Sequence, residues 1–378
     1  MDSIQKHYTK STHCGYCHQK KPVEESWALP SISKLMQGKG YCNSGSLSFD
    51  EPDLPLVEYQ KLIKDGWRRS GSYMYKPDML RSCCRHYTIR TNYDMYINGG
   101  FFTKNTRKSL RKFYNHVDAP TPKQAAGADL LSLYKARDGK GSFQSVLLPN
   151  NFSMEKFELF KKYQMAVHNE PEEKVTEYSF YNFLCDDPFE SKDSDYERAD
   201  WTEINREWSS GVVGPHLQSL RGPIHECYVI DGQFSAISVL DILPDGISAV
   251  YFIWNPELAH LGLGTISAVR EIVMAQILGK SHYYLGFYIP DCQKMVYKSK
   301  FGGEIRNFGR APDGSDPEWM DIAVANKCTS FVSGRWAVFD TNGKDIAEEE
   351  YGSVVAADPS SFRVVDKACL FPCPAVVP

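Results

Sequence analysis

Between Val250 and Gly279 the hydrophobic rhythm of the chain changes twice. Val250 to Trp254 is an apolar, aromatic run closed by Asn255 and Pro256, which predicts a short, largely buried strand. A loop with Gly262 and Gly264 follows, with Thr265 as the expected N-cap. Ile266, Val269, Ile272, Val273 and Ile277 then recur at helical spacing until Gly279 stops the helix. Strand, glycine loop and helix in this order point free backbone N–H groups at an anion, although ordinary α/β connections share the pattern.

The same periodicities organise the flanks. Ser142 to Asn150 reads as a strand. Ser153 to Asn169 reads as a helix, with Met154, Phe157, Phe160, Tyr163 and Val167 as its apolar stripe. Phe180 to Leu184 is a short packed segment, and the acidic stretch from Glu190 to Glu207 is expected to be an exposed excursion. His225 to Ile230 predicts a strand, Asp231-Gly232 a hairpin, and Phe234 to Leu243 its partner. Pro244 to Gly246 is a turn into a third strand, Ile247 to Trp254, and Tyr283 to Ile289 is a further strand beyond the helix. A meander followed by strand–loop–helix–strand fits an α+β, mixed-sheet acyltransferase type of fold. The glycine spacing and the missing βαβ unit exclude a dinucleotide fold. Thr106 to Tyr114 predicts a short basic helix, and Asp118 to Gly141 a linker or insertion. Four regions are expected: 1–117, 118–141, 142–310 and a C-terminal extension, 311–378.

Composition adds where chemistry can sit. With 42% apolar and 24% charged residues over 378 positions, the chain is ordinary for a globular protein. No apolar run is long enough to span a bilayer and the N-terminus lacks a signal-peptide pattern, so no membrane partner is expected. The eleven cysteines fit metal ligands or free thiols better than disulfides. Cys14 and Cys17, flanked by His13 and His18, form a Cys-x-x-Cys knuckle, and Cys83 and Cys84 stand adjacent with His86 nearby. Together these four sulfurs suit zinc or an iron–sulfur cluster and would tie the N-terminal arm down, unless they are merely scattered buried cysteines. The net charge of -4 hides a local excess: Gln60 to Lys112 holds thirteen Lys or Arg against three Asp, with Tyr73, Tyr75 and Tyr87 between them. Basic and aromatic residues together suit a phosphate backbone with exposed bases. Arg68, Arg69, Lys76, Arg107, Lys108 and Arg111 are the candidate contacts.

Two stretches carry a resemblance. HECYVIDGQFSAISVLDILPDGISAVYFIWNPELAHLGLGTISAVREI and YYLGFYIPDCQKMVYKSKFGGEI resemble the C-terminal region of the eukaryotic, fungal-like arginyl-tRNA–protein transferases. CGYCHQ and YMYKPDMLRSCCRHYTIRTN resemble their N-terminal cysteine region. The resemblance implies a catalytic domain like the GCN5-related N-acetyltransferases beside a cysteine-rich metal-binding domain. It implies zinc or an iron–sulfur cluster on Cys14, Cys17, Cys83 and Cys84. It also implies transfer of arginine from arginyl-tRNA to proteins beginning with Asp, Glu or oxidised Cys. The product is an N-degron read by a ubiquitin ligase, in the cytoplasm and with the nucleus left open.

Such chemistry needs positioning and oxyanion stabilisation more than a nucleophilic triad, because the donor ester is already activated. Asp241 is the first candidate for the donor's guanidinium and Glu271 the second. Arg270, Lys298 and the Gly262, Gly264 and Thr265 backbone are candidates for the acceptor's acidic side chain, and His225 and Tyr288 for a proton relay. Tyr283, Tyr284 and Tyr288 form a candidate aromatic wall for the terminal adenosine. An acyl-enzyme on Cys227 or Cys292 is disfavoured. The LGLGT loop lacks the coenzyme-A pattern of the acetyltransferases, so no coenzyme A is expected and tRNA phosphate or a substrate carboxylate takes its place. A coenzyme-A-dependent acyltransferase and a non-catalytic tRNA-binding adaptor are the competing classes.

Overall fold

The computed structural model describes residues 7–11, 13–18, 44–77, 82–84, 86–117, 142–190, 199–290, 292–306 and 319–325. Asp118 to Gly141 lies outside the described residues, as does the C-terminal extension except 319–325.

The first strands are β1 (His7–Ser11), β2 (Ser44–Asp50), β3 (Arg68–Ser70) and β4 (Tyr73–Pro77). They form a four-stranded antiparallel sheet in the order β1-β2-β4-β3. Helix α1 (Leu56–Lys64) buries Leu56, Tyr59, Leu62 and Ile63, which pack with Phe49 and Met74 of this sheet and with Trp67 just before β3.

After the second cysteine pair the chain enters a larger sheet. Strand β5 (Tyr87–Thr91) is buried at Tyr87 and Ile89. Helix α2 (Tyr93–Asn98) is capped by the Asn92 side chain, and α3 (Lys104–His116) by Thr103. The basic helix is therefore longer than its apolar pattern alone suggested. Strand β6 (Phe143–Pro149) leads to α4 (Met154–His168), within the predicted Ser153–Asn169 helix; the Ser153 side chain caps it and Asn169 ends it in the left-handed conformation. The expected exposed excursion is only partly that: Trp201–Ser210 is a helix, α5, capped by Asp200 and burying Ile204 and Trp208. Two apolar residues one turn apart are enough to dock a short helix whose remaining positions are polar.

The meander is β7 (Gly222–Ile230), β8 (Gln233–Ile242) and β9 (Gly246–Trp254), antiparallel in sequence order. Asp231 and Gly232 both have positive φ, at 53° and 74°, the geometry that the tight hairpin demands. Helix α6 (Leu263–Ile277) starts one residue after Gly262, so Thr265 lies inside its first turn and caps nothing. Gly262, at φ 68°, makes the left-handed turn into the helix. Strand β10 (His282–Tyr288) runs parallel to β9, and β11 (Glu304–Arg306) and β12 (Trp319–Asp321) complete an eight-stranded sheet, β12-β11-β5-β10-β9-β8-β7-β6. Residues 87–117 thus give the sheet an internal strand and set α2 and α3 against α6.

Side-chain alternation along β7 and β8 separates two cores. Ile224, Tyr228, Ala236, Leu240 and Ile242 face the α6 side, whereas Cys227, Ile237 and Val239 face α4. Among the described residues no helix is long and apolar enough to cross a membrane.

Candidate active site and thiolate centre

The four predicted cysteines meet. Cys14 and Cys17 arrive on a turn after β1, Cys83 and Cys84 just before β5, and their sulfurs all lie within 4.8 Å of one another. Cys14, Cys83 and Cys84 are buried and Cys17 is partly so. Mutual S–H contacts hold the Cys14 thiol far below its ordinary value and push those of Cys83 and Cys84 up, as expected when several sulfurs share one site. Four convergent sulfurs with no disulfide among them fit a thiophilic metal centre. The cluster packs against Ile289 and Cys292, just past β10. Tyr16 meets His86 edge-on with ring centroids 4.8 Å apart, and His86 meets Phe287 at 5.5 Å. The centre therefore clamps the N-terminal arm onto the end of β10.

At that end the large sheet opens. Strands β9 and β10 pair only through His282–Gly246, Tyr283–Ile247 and Tyr284–Ser248. Beyond these residues β9 runs on to Trp254 and β10 to Tyr288 without pairing to each other, leaving a fork. Gly286, at φ 82°, lies within the register shift that bends β10 against β5. The 293–301 segment packs on β10 and supplies Tyr297 and Lys298. Tyr297 is exposed and meets the Phe301 ring edge-on, with centroids 6.3 Å apart.

Glu271 lies buried on α6, beneath β8 and the paired part of β10. It is 2% exposed and accepts from the hydroxyls of Ser238, Ser267 and Tyr283. Burial raises its carboxyl to about 7 against the pull of those donors. Beside it, Arg270 pairs with Glu226 at 2.6 Å, donates to Ser145 at 2.8 Å and lies over the Phe143 and Tyr228 rings. Arg270 is thus committed inside the core and does not face an acceptor.

Several expected roles meet different surroundings. Asp241 is fully buried and accepts from Arg69 through Nε at 2.8 Å and Nη2 at 2.7 Å, and from the Tyr59 hydroxyl at 3.1 Å. It is the partner of Arg69 and leaves no free oxygen edge for a ligand guanidinium. Arg69, 4% exposed, is equally unavailable to tRNA. His225 is fully buried, its pKa pushed down to about 3 by that burial, and Nε2 donates to the Leu184 carbonyl at 3.0 Å. Tyr283, Tyr284 and Tyr288 are all buried, and Tyr284 packs under α1 on the face opposite Tyr283. The alternation of strand side chains splits the expected aromatic wall. Cys227 is buried, with its thiol pushed up to about 12 by desolvation, which disfavours it as a nucleophile. Gly262 and Gly264 have open space where a side chain would stand, at the start of α6. Lys76 is part-buried on β4, whereas Arg107, Lys108 and Arg111 are exposed along α3.

Arg68 is the residue whose place sequence reasoning misassigned. It is 5% exposed, lies 4.8 Å over the Phe287 ring, and has no carboxylate partner among the described residues. Its Nη1 donates to the carbonyls of Ile63 and Trp67, its Nη2 to that of Gly286 at 3.0 Å, and its Nε–H has no acceptor among the described residues. Desolvation pulls its pKa down to about 10. The Arg68-Arg69 doublet, side by side on a short strand, was the available signal: neighbouring residues point to opposite faces, so two cations there could not share one surface.

An α+β chain with a four-sulfur centre clamped beside an open strand fork is the class these features define. The family profile described as Arginine-tRNA-protein transferase, N terminus, matches residues 12–98, and its C-terminus counterpart matches residues 155–306. Together they span more than half of the chain, and the chain belongs to the arginine-tRNA-protein transferase family. Arginyl-tRNA–protein transferase 1 of Saccharomyces cerevisiae is 36% identical over 310 residues, 79% of this chain and 59% of that protein. The Drosophila melanogaster arginyl-tRNA–protein transferase 1 is 31% identical over 198 residues, 51% of this chain and 34% of that one. The aspartate/glutamate leucyltransferase of Chromobacterium violaceum is 26% identical over 246 residues, 64% of this chain and 74% of that one. The chain therefore spans less than two thirds of the two arginyltransferase relatives.

Proposed function

We propose that the chain transfers arginine from arginyl-tRNA to the α-amine of proteins that begin with Asp, Glu or oxidised Cys, and that the fork is where the substrates meet. The observation that carries this reading is Arg68, a buried cation beside the fork with no counter-charge and an unused N–H among the described residues. Burying an unpaired charge is costly, so such a residue is a seat prepared for an anion. The acidic side chain of the acceptor is the anion that fits. A relative named for aspartate and glutamate acceptors but for leucyl transfer supports the same inference: acceptor recognition belongs to the part that both kinds of enzyme share.

The remaining parts follow. The opening of β9 from β10, as in the GCN5-related N-acetyltransferases, admits the aminoacylated tRNA end. The exposed cations of α3 draw in the tRNA backbone. Cys14, Cys17, Cys83 and Cys84, whose sulfurs all lie within 4.8 Å of one another, would hold a thiophilic metal centre, zinc or an iron–sulfur cluster. The metal's part is structural: it fixes the arm against β10. The products carry an N-terminal arginine that a ubiquitin ligase reads.

The test is transfer of labelled arginine from arginyl-tRNA to peptides differing only in a first Asp or Ala. Transfer to the Asp peptide alone is expected, with no acetyl transfer from acetyl-CoA. Arg68→Met is expected to raise KM for the Asp peptide by about 30-fold or more, the effect of losing roughly 2 kcal/mol from a buried charge contact. Acetyl transfer without arginyl transfer, or tRNA binding with neither, would replace this reading by one of its competitors.

A further inference from the structure

We propose that Lys298 is the proton acceptor of the transfer reaction, taking a proton from the acceptor's α-ammonium while Arg68 holds the acceptor's carboxylate. This rests on the arginyl-transfer reading and assigns it a base.

Lys298 and Arg68 meet around Gly286. The Arg68 guanidinium donates to the Gly286 carbonyl, and the Lys298 amine would stand 3.3 Å from a Cβ at that glycine. Lys298 is part-buried and makes no hydrogen bond or ion pair with any described residue. The groups facing it are Arg68 from β3 and Cys292 from the turn after β10. Desolvation, reinforced by Arg68, pulls its pKa down to about 7, opposed by Cys292. A lysine that gives up its proton near neutrality, beside an open fork, is suited to accept one.

Three other candidate groups are committed elsewhere. His225 is sealed under Leu184, Glu271 is engaged by three hydroxyls, and Asp241 belongs to Arg69. In an N-terminal Asp or Glu, the carboxylate and the α-nitrogen hang from the same residue only a few bonds apart. A carboxylate seated on Arg68 therefore brings the α-ammonium to the neighbourhood of Lys298.

The proton balance closes without another reagent. One proton passes from the α-ammonium to the neutral Lys298 amine. The freed nitrogen attacks the arginyl ester carbon, the C–N bond forms, and the C–O bond to the ribose breaks. A second nitrogen-bound proton goes to the departing ribose oxygen, and Lys298 releases its own to solvent before the next cycle.

The experiment measures initial rates of transfer from arginyl-tRNA to an Asp-starting peptide by the full chain, from pH 6 to 9. Lys298→Arg keeps the positive charge but cannot lose it. It is expected to lower kcat by about 10²- to 10⁴-fold with KM for the peptide within about threefold. Lys298→Ala is expected to be inactive and partly rescued by ethylamine, the rescued rate tracking the free base as pH rises. Rescue also shows that the variant folds. Retention of kcat in Lys298→Arg, rescue that tracks the ammonium form, or no rescue at all would each overturn the assignment. Absence of transfer by the unaltered chain would instead remove the function proposed above.

Discussion

Asp241 accepts from both arms of Arg69 and from Tyr59 at a point where α1 and the small sheet rest on the large one. Removing two charges from water is expensive, and only near-ideal geometry offsets it. Breaking the pair from one side should therefore cost far more than deleting both partners. Asp241→Asn is expected to lose about 3–5 kcal/mol of unfolding free energy, and an Arg69→Met/Asp241→Leu double variant to recover most of it. Urea unfolding of both would check this, and equal losses would mean that packing, not charge, dominates. Glu271 gives a prediction with the opposite pH sense to a salt-bridged acid. Its carboxyl is raised to about 7, so the folded chain binds that proton more tightly than the unfolded one. The stability it contributes is unpenalised below about pH 4.3 and falls as pH rises from there through about 7, by about 4 kcal/mol in all. Glu271→Gln should lack that decline, and parallel pH profiles of unfolding for the two proteins would refute the assignment.

At the level of elements, α3 presents Lys104, Arg107, Lys108, Arg111 and Lys112 outward, while Leu110, Phe113 and Tyr114 face the core. Reversing Arg107, Lys108 and Arg111 to Glu should leave the helix docked. It should weaken tRNA binding and reduce the salt slope by about 0.7–0.9 for each lost phosphate contact. An unchanged slope in a filter-binding titration would clear α3 of that role. Much of this element's geometry was legible in its sequence, as were the hairpin at Asp231-Gly232 and the caps of α4. Each depends on residues within a turn of one another. The fork was not legible, because it arises where two strands stop pairing, and nothing in either strand records its neighbour. The same holds for Asp241: a lone acid in an apolar strand announces a buried partner but not which one. The cysteines were legible because four identical ligands in two tight pairs have few other uses.

For the molecule as a whole, the thiolate centre joins the N-terminal arm, the start of β5 and the end of β10. Adding a chelator for thiophilic metals should raise amide exchange in residues 287–296 while leaving β7 and β8 protected, as read by hydrogen exchange. Uniform protection with and without chelator would mean that the packing of Tyr16, His86 and Phe287 suffices by itself. A local effect is expected because β7 and β8 lie between two cores of their own, remote from the sulfurs.

The internal position of β5 sets an order of events during synthesis. Tyr87–Thr91 has no edge to join until β10 and β11 have been made, nearly two hundred residues later. At ribosomal rates of about 5–20 residues per second, that strand waits roughly ten to forty seconds. Throughout that interval Tyr87 and Ile89, both fully buried in the finished sheet, lack their final partners. Strand β5, which follows directly on the second cysteine pair, is thus among the last parts to find its place, and its protection in the meantime falls to whatever receives the nascent chain.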